Sequence, residues 1–383
     1  MLQTAPENRI LHMAFELANK KWLLGFTDGR SQIRKVEIKA RDLTSLLSAI
    51  AAAKGKFELP DNGRVVSCYE AGRDGFWLHR WLLAHGIKNR VLDSASLETN
   101  RRSRRAKTDR IDVEKMASMS VREANGEQYV WRVVNVPAQE VEDVRGLHRE
   151  AGELTGDITM HSNRIKGLLA AQGIVCAIGK NFDTQLPKLR TPGGRMLLAM
   201  LQERLLREWQ RMMAVVAQRK LVEQTQRALM VMAEEKPAAV KKKFGAAVLT
   251  CLEKANKLRQ LRGVDLMAFA LCFEFFGWRN FKNRRQVGGL AGMTGTPYNS
   301  GDSVREQGIS KSGNKRVRTI AVELAWCWLM YQGDSKLSEW YRINFGSKAR
   351  KRGSVALGRK LLVAWWQYLD RDIVPAGAVL KTA

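Results

Sequence analysis

The stretch Ile10-Leu11-His12-Met13-Ala14-Phe15-Glu16-Leu17-Ala18-Asn19-Lys20-Lys21-Trp22-Leu23-Leu24-Gly25-Phe26-Thr27-Asp28-Gly29-Arg30-Ser31-Gln32-Ile33-Arg34-Lys35-Val36-Glu37-Ile38 decides how the first third of the chain must fold. Ile10–Glu16 and Lys21–Phe26 are short apolar runs parted by Leu17-Ala18-Asn19-Lys20. Thr27-Asp28-Gly29-Arg30 is a turn before Gln32–Ile38. Asp-Gly between strand-like runs is a hairpin signal, because glycine takes the positive φ that tight turns need. Three consecutive strands are predicted.

Outward from this meander the pattern alternates. Asp42–Ala53 has helical spacing, and Arg64–Tyr69 is a run of β-branched and small residues. Gly75–His85 is helical, with apolar Phe76, Trp77, Leu78, Trp81 and Leu82, and Ile87–Leu92 is a further strand. The order βββαβαβ followed by a helix is that of a ribonuclease-H-like domain, an α/β layer with a mixed sheet, expected over residues 1–130.

From Pro137 the period changes. Val141, Val144, Leu147, Leu154, Ile158, Ile165 and Leu168 recur every three to four residues to about Gly173. A second such stretch runs from about Gly194 to Glu235 through Leu197, Leu201, Leu205, Trp209, Met212 and Val216. Two long amphipathic helices joined by a loop suggest an antiparallel coiled-coil arm over 137–236; core helices of a compact domain are the other reading. Residues 237–383 read as a helical domain with Gly- and Arg-rich loops. The fold class expected is therefore α/β plus all-α.

Composition narrows the function. The chain has 383 residues, with 65 Lys and Arg against 38 Asp and Glu, a formal net charge of +27. With 45% hydrophobic residues it can bury a core, and the charge excess points to a polyanion partner. Cys68, Cys176, Cys251, Cys272 and Cys327 form no Cys-x-x-Cys pair, so neither a disulfide framework nor a zinc ribbon is expected. The five histidines lack metal-ligand spacing, so any metal must sit on carboxylates. Met1–Asn8 is polar, and the longest apolar stretch, Met267–Trp278, is interrupted by Glu274 and too short to span a bilayer. A cytoplasmic protein without a membrane partner is expected.

Glu16 ends the first strand and Glu70 the fourth, where a ribonuclease-H-like fold carries acids that hold two Mg²⁺ ions about 3.5–4 Å apart. Asp109 and Asp112, in Lys107-Thr108-Asp109-Arg110-Ile111-Asp112, lie at i,i+3 on the first turn of a helix and so share one face. Taken alone they are ordinary acids at a helix N-terminus. Together with Arg101, Arg102, Arg104, Arg105 and Lys107 just before them they make a candidate phosphodiester site, with cations for the backbone and acids for Mg²⁺.

The densest motif spans Arg284 to Arg318. Gly292 to Gly313 is rich in turn formers and reads as a loop system between helices. Ser300, before Gly301, has little crowding, and Arg305, Lys311, Lys315, Arg316 and Arg318 could hold a phosphate. A turn-capping serine beside a solvated, DNA-contacting basic face fits the spacing taken alone better.

Phe15-Glu16-Leu17, Tyr69-Glu70-Ala71-Gly72, Lys107 to Asp112, Ser300-Gly301 and Gly308-Ile309-Ser310-Lys311-Ser312-Gly313-Asn314 occur in the order seen in bacterial DEDD transposases. Over about residues 10 to 335 the chain resembles these enzymes of the insertion-sequence-110 family, which includes bridge-RNA-guided recombinases and related DNA invertases. The resemblance implies a RuvC-type nuclease domain whose four acids, Glu16, Glu70, Asp109 and Asp112, bind Mg²⁺. It also implies a C-terminal domain whose Ser300 attacks a DNA phosphate to form a covalent intermediate. Donor and target DNA, a non-coding bridge RNA and a homo-oligomer, a dimer or tetramer, are the implied partners. The family's first acid is most often Asp; Glu16 is one methylene longer but remains a hard oxygen ligand. Two alternatives stand beside this DNA transposase/recombinase. A Holliday-junction-type nuclease needs only the acids and water, and a non-catalytic nucleic-acid-binding protein needs only charge. A site-specific DNA invertase shares the chemistry.

Overall fold

The computed structural model describes residues 9–73, 75–97, 109–300, 303–346 and 350–381. The chain forms two compact units, Met1–Val136 and Pro137–Ala383.

The first unit is built on strands β1 (Leu11–Leu17), β2 (Lys21–Thr27), β3 (Arg34–Lys39), β4 (Val65–Glu70) and β5 (Lys88–Leu92), with helices α1 (Leu43–Lys56), α2 (Trp77–Ala84) and α3 (Asp109–Ala124). The sheet order is β3-β2-β1-β4-β5. Turns at residues 18–20 and at Asp28-Gly29, where Gly29 has φ 84°, make β1, β2 and β3 an antiparallel meander. A crossover through α1 brings β4 parallel to β1, and α2 brings β5 parallel to β4. Side chains alternate between the two faces. Met13, Phe15, Trp22, Leu24 and Tyr69 pack against α1 and α2, whereas Ala14, Cys68 and Leu92 pack against Val113, Met116 and Ala117 of α3. The small residues on that second face let α3 approach closely. A Cβ at Gly25 would collide with Val113 Cγ1.

The second unit is mostly helical. Helices α4 (Gln139–Ala170) and α6 (Ala199–Glu235) are joined through the short α5 (Phe182–Gln185). They run antiparallel: Gln226 Nε2 donates to Leu147 O at 3.0 Å near one end, and His161 Nδ1 lies 2.7 Å from Glu208 Oε1 further along. At the far end Ile165, Leu169, Phe182, Leu197 and Leu205 form a small core of their own. At the near end Val141, Val144, Leu229 and Met230 enter the main core.

That core is completed by α7 (Pro237–Phe244), α8 (Ala246–Arg259), α9 (Met267–Leu271), α10 (Arg284–Leu290), α11 (Lys315–Tyr331), α12 (Lys336–Asn344) and α13 (Arg350–Arg371). The apolar stretch at Met267–Trp278 is α9 followed by a π-helical turn, Cys272–Phe276, and its aromatic residues are buried against each other. Among the described residues no helix is long and apolar enough to cross a membrane.

One expectation is corrected. The segment predicted as a loop system is an antiparallel ribbon, β6 (Gly295–Ser300) with β7 (Ser303–Ile309). Its turn formers lie within the strands: Pro297 pairs with Glu306 and Asn299 with Val304, and the register shifts between Gly295 and Pro297.

Candidate nucleic-acid-processing site

The register of the first unit decides where the four acids stand. Phe15 pairs with Tyr69 in the parallel β1–β4 ladder, so Glu16 and Glu70, one residue further along each strand, are neighbours at the strand ends. Two residues back, Ala14 and Cys68 face α3, and alternation turns Glu16 and Glu70 to that same face. Helix α3 runs against the direction of β1. Ser120 Oγ lies 2.8 Å from Nδ1 of His12 near the start of β1, the Cys68 thiol donates to Met116 O at 3.7 Å, and Val113 lies over Gly25, the partner of Ala14. The first turn of α3, with Asp109 and Asp112, therefore lies toward the strand ends that carry Glu16 and Glu70. Glu16 and Asp112 are half-buried, whereas Glu70 and Asp109 are exposed.

The donor chemistry of this edge, four hard carboxylates, suits Mg²⁺. In this arrangement no three His, Cys, Asp or Glu among the described residues stand close enough together to hold one ion. The structure thus brings the acids to one edge and one face without closing them into a ligand cluster. Arg101, Arg102, Arg104, Arg105, Lys107 and Thr108 lie outside the described residues.

Ser300 is the last residue of β6, and its backbone pairs with Ser303 at the far end of the ribbon, while Arg305 pairs with Tyr298. The ribbon's base is tightly tied. Ser310 N donates to Thr294 O at 2.9 Å, Lys311 N to Gly292 O at 3.1 Å and Asn314 N to Leu290 O at 3.0 Å. Only glycine fits at 313, because a Cβ there would run into Leu290 O and Gly292 N. Arg318 Nη1 donates to Ala291 O at 3.3 Å and Gly313 O at 3.0 Å, so this predicted phosphate holder also braces the base. Lys311, Lys315 and Arg316 are exposed.

Helix α11 opens at Asn314, whose side chain accepts from Arg316 N and Val317 N. The same side chain donates from Nδ2 to Glu274 Oε2 at 3.2 Å. Glu274 is fully buried on the π-helical turn and takes two further bonds from Arg149 of α4, Nε to Oε1 at 2.7 Å and Nη2 to Oε2 at 3.2 Å. Burial alone would raise its pKa; the hydrogen bonds and charge of Arg149 outweigh that and hold the carboxyl below its ordinary value. Arg279 Nη1 donates to the Glu274 carbonyl at 2.7 Å while its guanidinium stacks 3.7 Å over Trp278. Sequence reasoning treated Glu274 only as an interruption of an apolar stretch and did not single out Arg149. A lone acid inside such a run was the available signal.

Comparison with known proteins finds relatives of this sequence. The sequence pattern of the "Transposase IS116/IS110/IS902 family" matches residues 255–342, which run from the end of α8 through the ribbon to α12. A Sinorhizobium fredii protein, "Putative transposase y4rJ", is 37% identical over 97% of this chain and 95% of its own length. A second from that organism, y4qE, is 29% identical over 76% of this chain and 64% of its own. The transposase for insertion sequence element IS1111A of Coxiella burnetii is 24% identical over 77% of this chain and 74% of its own. With near-complete coverage at that identity, the chain belongs to the IS116/IS110/IS902 family of insertion-sequence transposases.

Proposed function

We propose that this transposase is a Mg²⁺-dependent DNA recombinase in which Ser300 is the nucleophile and Glu16, Glu70, Asp109 and Asp112 are the metal ligands. The observation that carries this reading is the parallel β1–β4 register, which sets Glu16 beside Glu70 on the face covered by α3. The sheet order β3-β2-β1-β4-β5, with β2 antiparallel, supports a ribonuclease-H-like, RuvC-like first unit. Bound Mg²⁺ would supply charge to polarise the scissile phosphate. Ser300 Oγ gives up its proton and forms a bond to phosphorus as a DNA P–O bond breaks, and the released DNA oxygen takes up a proton in turn, so protons balance. Rejoining is the reverse attack by another strand's hydroxyl, so the number of phosphoester bonds is conserved. Arg305, Lys311, Lys315 and Arg316 are the proposed backbone contacts, together with the basic segment before Asp109.

The antiparallel pair α4 and α6 is the proposed coiled-coil arm and contact between protomers of a dimer or tetramer. The net charge of +27 supports a second polyanion, a non-coding RNA from the element that pairs with donor and target DNA. The test incubates labelled element-junction DNA with Mg²⁺ and that RNA, and reads the products on a denaturing protein gel. A covalent protein–DNA band is expected from the wild type, absent in Ser300→Ala, Asp109→Ala and Asp112→Ala while each still binds DNA. Cleavage without a covalent band, unchanged by Ser300→Ala, would instead mark a junction-resolving nuclease that uses water. Recombination retained in Ser300→Ala would remove the serine from the mechanism.

A further inference from the structure

Glu274 balances only part of the positive charge gathered around it. Arg145 of α4 is 6% exposed, and its Nε has no hydrogen-bond partner among the described residues. Its ion pair with Glu142 is long, 3.8 Å. Arg149 and Arg316 stand close enough for their charges to act on Arg145 and on the half-buried His148, and Arg149 and Arg145 act on Glu274. Burial first, and then the charge of Arg149, hold the Arg145 guanidinium below its ordinary pKa. His148 is lowered as well, by burial. A buried cation with an unused donor, set among other cations, is costly to fold. Such a cost is retained when an anion offsets it.

The amides of the first turn of α11 do not supply the site, because Asn314 already accepts from two of them. The side chains do. The Arg149 side chain is 35% exposed and Arg316 is exposed. Glu274 and Asn314 tie the first to the helical turn that carries the second, since both Arg149 and Asn314 donate to Glu274 and Arg316 N donates to Asn314 Oδ1. Charge held behind them at low dielectric is screened less than charge at the surface.

We propose that Arg149 and Arg316 contact one backbone phosphodiester of DNA, with Arg145 as the buried charge behind them. Glu274 and Asn314 are positioning residues that fix the α4 arginines against the start of α11. The assignment rests on the family's action on DNA. It does not depend on Ser300 or on the acids, so a failed adduct assay leaves it standing and its own failure leaves the adduct chemistry untouched.

The test uses the full-length protein, a fluorescent DNA duplex and a thermal melt of the free protein. Arg145→Met is expected to melt at the same temperature as the wild type or higher, because an apolar side chain of similar length relieves the buried charge. It is also expected to bind DNA about tenfold more weakly, the scale of one charge-assisted contact. Arg316→Gln, on the surface, should make the slope of log affinity against log salt shallower by about one. A lower melting temperature with intact affinity would make Arg145 purely structural and overturn the subsite. If stability and affinity both fall, the double variant Arg145→Met with Arg316→Gln decides. Losses that do not add indicate a shared phosphate, and additive losses overturn it. A loss seen on single-stranded RNA but not on the duplex would overturn the DNA assignment.

Discussion

At the scale of single residues, the acids were legible and their surroundings were not. Glu16 and Glu70 close apolar strands, and Asp109 and Asp112 share a helix face, all local facts that a linear reading can use. Glu274 and Arg149 are 125 positions apart, and nothing in either segment announces that they pair. Arg145 has the same history, because its burial exists only once the near end of α4 enters the main core. Gly313 is the most constrained position at the base of the ribbon. Gly313→Ala should destabilise the protein by about 1–3 kcal/mol, the usual cost of overpacking, read as a lower midpoint in urea. An unchanged midpoint would mean that the chain at Leu290 moves aside freely.

At the scale of elements, the order of strands and helices in the first unit follows the period of its apolar residues, and the observed ladder repeats it. The ribbon escaped because Pro297 and several glycines punctuate it. Proline cannot donate to a ladder, and the pairing is irregular between Gly295 and Pro297. The two long helices were legible from spacing, but the charge between them was not. Glu208 is buried where α4 meets α6 and is bound by His161, Arg164 and Arg211. The His161 hydrogen bond, followed by the two arginines, overcomes desolvation and lowers its pKa to about 2. Because the folded value lies below the unfolded one, the stabilisation is complete above the ordinary 4.5 and is lost as pH falls toward about 2. Acid titration of the full chain, followed by circular dichroism, should therefore show a smaller pH-dependent loss over that window in Glu208→Gln. Parallel curves for variant and wild type would place the acid sensitivity elsewhere.

At the scale of the whole molecule, composition predicted a polyanion partner, and membership of a transposase family makes DNA that partner. A net charge of +27 should express itself as counterion release. Fluorescence anisotropy at a series of KCl concentrations should give a log–log slope of about −5 or steeper, equivalent to roughly six neutralised phosphates. A nearly flat dependence would mean that the charge serves something other than the backbone. The division at Val136–Pro137 coincides with the change from alternating strands and helices to unbroken helical period. How far the acids stand from one another depends on tertiary closure, which periodicity does not encode.

The ribbon has a mechanical consequence. Ser300 lies five residues beyond Gly295, so the hairpin is a lever about 17 Å long hinged on its tied base. A tilt of only about 10° sweeps the tip through about 3 Å, as much as separates a reacting pair in contact from one that cannot react. With Ser300 in its proposed role, aim at the tip is inherited from whatever grips the lever near its end, so alignment and substrate capture become a single event.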